Sequence, residues 1–102
     1  MTTLQEVIMF VLQVDLKVKP GSGQALEKTY AETFRPAISR QQGFSFVDLL
    51  RPRDGGNAYV LNIVFENQPA QQKWVATDVH QQVWPQMESH CASCAVRSYD
   101  TV

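Results

Sequence analysis

The sequence has no surplus of either charge: nine Lys and Arg stand against ten Asp and Glu, a formal net charge of −1 over 102 residues. The one local basic group, Arg51-Pro-Arg53, is followed at once by Asp54. Nucleic-acid binding needs a basic stripe or face, and its absence excludes that class. Long apolar runs are missing too. The longest, Val7 to Leu12 (VIMFVL), falls far short of the ~20 residues that cross a bilayer. With no basic flank before it and no small-residue cleavage site after it, it is not a signal peptide and reads as a buried strand. The expectation is a cytoplasmic protein without a membrane segment. Cysteine is scarce, with only Cys91 and Cys94 in the stretch HCASC. A zinc site would need further ligands, and the histidines are only His80 and His90. A redox pair wants its first thiol at a helix N-terminus, whereas this pair follows a helical stretch and leads into the last strand. We read both thiols as structural.

What is present is a sequence of well-marked periodicities in a chain long enough for one domain, residues 1–102. Residues 7–19 alternate with period two, which predicts a strand. Ile8, Phe10, Leu12, Val14, Leu16 and Val18 share one face, while Val7, Met9 and Val11 make the start of the other face apolar as well. Pro20-Gly21-Ser22-Gly23 ends it. Leu26, Tyr30, Phe34 and Ile38 then recur every four residues, giving a helix with Ser22 as N-cap and Gly43 as stop. Pro36 lies inside that pattern and predicts a kink or an early end. Phe44–Leu50 and Ala58–Glu66 read as strands around the turn Asp54-Gly55-Gly56-Asn57. Pro69 suits the first turn of a second helical region, with Thr77 or Asp78 as an internal cap and Pro85 as a break. Two short helices at an angle are expected there, followed by a closing strand over Ala95–Tyr99.

The order β-α-β-β-α-β is the split, ferredoxin-like arrangement of an α+β domain, an antiparallel four-stranded sheet with both helices on one face. The other sheet face then needs cover, and Val7, Met9 and Val11 on it call for an apolar partner. A second copy of the same sheet, packed face to face in a homodimer, is the simplest solution.

With these elements placed, the chain resembles the antibiotic biosynthesis monooxygenase family. The residues that carry the resemblance are V-x-L-x-V-K-P-G (14–21), F-R-P-A (34–37), Q-G-F (42–44), F-E-N (65–67) and W-x-x-x-D-x-H (74–80). Together they span about residues 7–88. The resemblance implies a dimeric α+β barrel with a ligand pocket between sheet and helices. It also implies one of several activities, among them cofactor-free oxygenation of phenols and quinols, and haem degradation. The haem-degrading pattern is an asparagine in the first strand, a tryptophan in the second helix and an iron-ligating histidine ten residues later. Here those positions hold Val14, Trp74 and Trp84, and an indole cannot replace an axial imidazole. The polyketide pattern is an asparagine and a tryptophan four apart in the third strand. Here Leu61 and Phe65 stand there, with Asn62 one residue out of register, which on a strand means the opposite face.

The stretch KWVATDVHQQVWPQM (73–87) holds both tryptophans and His80. At roughly 100° per residue, His80 and Trp84 lie one above the other on a helix, flanked by Thr77 and Met87. Trp74 points elsewhere unless a break near Thr77 re-aims it. The functional reading makes His80 the general base for a small aromatic or quinol-type substrate, with no cofactor. Trp74 and Trp84 would sandwich its ring, Tyr30, Thr77 or Asn62 would donate to its oxygens, and Val14 would line the pocket floor. The alternative is a non-catalytic ligand-binding or stress-related dimer in which the tryptophans close the core and His80 is satisfied by solvent. Whether His80 faces a cavity or the solvent separates the two.

Overall fold

The computed structural model describes residues 8–102; Val7, counted above on the second strand face, lies outside them. The chain forms β1 (Phe10–Val18), α1 (Gly23–Thr29), a π-helical turn (Tyr30–Phe34), α2 (Arg35–Ile38), β2 (Phe44–Leu50), β3 (Ala58–Phe65), α3 (Gln68–Val75), α4 (Asp78–Glu88) and β4 (Cys91–Asp100). The strands make one antiparallel sheet in the order β2-β3-β1-β4, the ferredoxin-like arrangement expected from the sequence. Phe10, Val14, Leu16 and Val18 of β1 and Tyr59, Leu61, Ile63 and Phe65 of β3 are buried against the helices. Leu26, Phe34, Ile38, Trp74, Val83 and Met87 come down to meet them. Each such side chain stabilises the fold by about 1.5–3 kcal/mol through apolar burial.

Three elements differ in detail from the expectation. Pro36 does not break the helix at its own position, and the expected early end comes two residues later, at Ile38. A proline cannot donate to the carbonyl four residues back, and its ring collides with that carbonyl in a regular α-helix. The turn just before it widens to π geometry, in which Arg35 N–H bonds the Tyr30 carbonyl five residues back, and the helix runs on to Ile38. Pro85 also fails to break α4, which continues to Glu88. The carbonyl its ring leaves unpaired belongs to Gln81, on the exposed side of the helix. Gly43 does not stop the helix either. It sits at φ +81° at the entry to β2, where a Cβ would lie 2.6 Å from that of Ala70 on α3.

Two register shifts then decide which side chains face the helices. Between Phe44 and Phe46 the pairing of β2 with β3 slips by one, so Phe44 turns inward edge-on to Phe65 while Phe46 points out. Between Lys17 and Val18 the pairing of β1 with β4 slips likewise, and β4 begins at Cys91, four residues before the expected start. The short polar stretch CASC carries little strand propensity; pairing with β1 draws it into the sheet.

Among the described residues no helix covers the opposite sheet face. It carries three rows across the four strands: Phe46, Val64, Val11 and Tyr99; Asp48, Asn62, Gln13 and Arg97; Leu50, Val60, Asp15 and Ala95. The first is wholly apolar. The second is polar, with Gln13 Nε2 donating to Asn62 Oδ1 at 3.1 Å and Asn62 Nδ2 to Asp48 Oδ1 at 2.9 Å, while Arg97 donates to Asp15 of the third row.

Candidate active site

The break in the second helical region is set by Thr77. Its hydroxyl donates to the Trp74 carbonyl at 2.7 Å and accepts from His80 N–H at 3.1 Å, closing α3 and capping α4 with one oxygen. That corner re-aims Trp74, as the pattern required. The Trp74 and His80 rings meet edge to face with centroids 5.0 Å apart, and His80 lies near-parallel to Trp84 at 6.4 Å. Phe34, at the end of the π-helical turn, contacts both indoles at 6.1 Å and completes a four-ring cluster. Phe34 is thus both core and wall.

This cluster forms one side of a cavity of about 270 Å³ between α3, α4 and the sheet. Leu12, Val14, Ile63 and Val96 floor it, and Gln71 and Val75 of α3 join the aromatic wall. It opens past Val96, which is 58% exposed on the edge strand. His80 Nδ1 is buried and has no hydrogen-bond partner. Burial lowers the pKa of the imidazole, opposed more weakly by the charge of Glu88. The ring is therefore neutral at neutral pH, with a basic nitrogen to offer.

Of the residues singled out in the sequence, His80, Trp74, Trp84 and Val14 line this cavity; Tyr30, Thr77 and Asn62 do not. Asn62 is corrected outright, since strand alternation places it in the polar row of the far sheet face, bonded to Gln13 and Asp48. Thr77 is corrected for a different reason: its hydroxyl is fully used in the corner. Tyr30 stacks behind Phe34 with centroids 6.4 Å apart, and burial raises its pKa. The two indoles cannot sandwich a ring as parallel walls, because Trp74 stands at 87° to His80 and Trp84 at 18°. Gln71 was missed. Its signal was its position one turn before Trp74, on a helix whose neighbouring glutamines look merely solvated.

Two other groups of polar residues lie elsewhere. Glu27 on α1 accepts from Tyr59 Oη at 2.6 Å and from both Nε and Nη2 of Arg51, which hold its carboxyl down at about 2. These bonds tie α1 to β3 and to the segment that follows β2. The Cys91 thiol is pushed up to about 12 by burial and by the adjacent Cys94, and burial raises Cys94 as well. The shift in β4 puts both thiols on the helix side, free and protonated. A protonated thiol is a poor nucleophile. Among the described residues no cluster of three or more His, Cys, Asp or Glu is assembled that would hold a metal ion. At the two positions of the haem-degrading pattern that differ here, Val14 and Trp84 cannot ligate iron, and His80 is the one imidazole in the cavity lining. No helix among the described residues is long and apolar enough to cross a membrane.

A four-stranded antiparallel sheet with helices on one face and a half-closed aromatic cavity between them defines a ferredoxin-like domain. The model of the antibiotic biosynthesis monooxygenase family matches residues 9–85, and the chain belongs to that family. No curated protein matches the sequence. Among solved structures it is similar to SnoaB, a cofactor-independent oxygenase from Streptomyces nogalater, with 22% identity, TM-score 0.79 and coverage of 95% of this chain and 94% of that one. A protein named for the same family from Bordetella bronchiseptica gives 20% identity, TM-score 0.81 and coverage of 95% and 99%. One from Caulobacter crescentus gives 19% identity, TM-score 0.80 and coverage of 92% and 90%. At such identities the likeness shows the fold alone.

Proposed function

We propose that the protein is a cofactor-independent monooxygenase acting on a small phenol or quinol held in the aromatic cavity, with His80 as general base. The observation that carries this reading is the His80 imidazole in the wall of a cavity whose lining is otherwise apolar or aromatic apart from Gln71, with no partner among the described residues on its Nδ1. A neutral imidazole there takes the phenolic proton. The electron-rich phenolate passes an electron to O₂, and the two fragments combine at a ring carbon. Loss of water leaves the quinone, so phenol plus O₂ gives quinone plus water and no external reductant is consumed. The four-ring cluster and the apolar floor keep bulk water from the anion. Family membership and the likeness to a cofactor-independent oxygenase support the same assignment.

The working unit in this reading is a homodimer. The uncovered sheet face, with its apolar row of Phe46, Val64, Val11 and Tyr99, is the surface on which a second copy packs. The free thiols accord with a reducing cytoplasm.

Oxygen uptake by the purified, metal-free protein with a panel of hydroquinones and polyphenols tests the assignment. Uptake should exceed autoxidation and fall by about a hundredfold or more in His80→Ala. Uptake unchanged in that variant would remove His80 from the mechanism, and uptake at the autoxidation rate throughout would leave a ligand-binding protein.

A further inference from the structure

We propose that Gln71 sets ligand choice in the cavity: its carboxamide and the His80 imidazole engage two separate oxygens on one small fused-ring compound, selecting such compounds over those with a single oxygen. This deepens the reading of the cavity just given and rests on it.

The cavity's polarity is concentrated in very few atoms. The two indole N–H groups aside, Gln71 and His80 supply the only polar side chains in its lining. Three glutamines of the described chain are half-buried: Gln13, Gln41 and Gln71. Gln13 donates to Asn62 Oδ1, and Gln41 donates to the Ala37 carbonyl. The carboxamide of Gln71 engages no group among the described residues, and His80 Nδ1 is likewise without a partner. The Gln71 carboxamide is not among the buried unpartnered atoms: it lines the cavity, keeps contact with solvent and holds no partner among the described residues, so both its donor and its acceptor are free for a ligand.

The two groups sit on different helices, Gln71 one turn before Trp74 on α3 and His80 in the first turn of α4. They meet at the same cavity because Thr77 turns the chain between them. A neutral imidazole presents one donor or one acceptor at Nδ1, and a carboxamide presents both. One oxygen of a ligand satisfies the first group; a second oxygen is needed for the other. Size narrows the class further. About 270 Å³ lies just below the roughly 300–1,000 Å³ range of drug-sized ligand sites, which suits one or two fused rings. A compound with one oxygen leaves the carboxamide desolvated and unpaired, a loss of about tenfold or more in affinity.

Both tryptophans of the chain line the cavity, so intrinsic tryptophan fluorescence reads its occupancy directly. Titrations under nitrogen with naphthohydroquinone, naphthol and naphthalene separate the contributions without turnover. The wild type should bind naphthohydroquinone about tenfold or more tighter than naphthol. In Gln71→Leu, and in the unbranched Gln71→Met, that preference should collapse to within about twofold while naphthol binding persists, which also reports an intact fold. A preference that survives both substitutions overturns the role of Gln71 and leaves the cavity reading standing. No quenching by any of the three compounds overturns both. Binding with the expected preference but no oxygen uptake keeps Gln71 and removes only the oxygenase.

Discussion

The two faces of the sheet are made from the same four strands and have opposite characters. On β3, Leu61, Ile63 and Phe65 enter a core where they are at most 4% exposed, while their neighbours Val60, Asn62 and Val64 lie half-buried on the far side. The helix-covered face is largely apolar, and its polar side chains gather in the cavity and at the Tyr59–Glu27 bond. The bare face gathers most of its polarity into one row, where Gln13, Asn62 and Asp48 bond strand to strand, and Arg97 reaches from it to Asp15 in the next row. A core tolerates a polar group only where a partner or a ligand will satisfy it; a surface that awaits another surface can satisfy its polar groups in advance. The difference teaches which polar residues to read as chemistry. Asn62, fully bonded, is architecture; His80, with an idle buried nitrogen, is a candidate for work.

Three measurements bear on that contrast, taken from the largest effect down. Phe34 is 1% exposed at the centre of the aromatic cluster, and Phe34→Ala should cost about 3–5 kcal/mol in chemical denaturation. Phe46 is 49% exposed on the bare face, and Phe46→Ala should cost under about 1 kcal/mol in dilute protein. Equal costs would erase the distinction between the faces. Next in size is the effect of Val11→Asp, which puts a charge in the middle of the apolar row. Light scattering on a sizing column should show the wild type as two copies and this variant as one, at a cost of several kcal/mol to association. A folded variant that still pairs would sink the face-to-face arrangement. Smallest is Glu27→Gln, expected to cost roughly 1 kcal/mol at neutral pH because the Arg51 pair is solvent-exposed. The Glu27 carboxyl titrates at about 2 in the fold against an ordinary 4.5. Its stabilisation is therefore complete above the higher value and fades as pH falls toward the lower one. Denaturation curves of wild type and variant should converge on acidification; a gap that persists at pH 2 would assign the effect to packing.

Much of this fold was legible because period-two and period-four patterns report burial directly. β1, β2, β3, the Asp54–Asn57 turn and the corner at Thr77 all follow from them. What was not legible depended on contacts between elements. The widened turn before Pro36 exists because Phe34 and Ile38 must both reach the core on either side of a proline. The slip that turns Phe44 in and Phe46 out is decided by which of two identical side chains finds Phe65. The early start of β4 is imposed by its partner strand. For the site, the sequence pointed to His80, Trp74, Trp84 and Val14 through helix spacing and strand phase. It misplaced Thr77, whose hydroxyl chemistry fits a cap as well as a ligand contact, and it passed over Gln71, one of several glutamines with nothing local to mark it.

The Thr77 hydroxyl lies outside the cavity lining, yet it governs the angle at which two rings meet. Trp74 hangs from the carbonyl it binds and His80 from the N–H it caps. One oxygen atom is thus the hinge pin of the aromatic wall. An enzyme that relies on the position of a base relative to a flat ring has little tolerance for error, since a displacement of about 1 Å can cost about a hundredfold in rate. The sharpness of the catalytic geometry would then be fixed by a residue that takes no part in the chemistry.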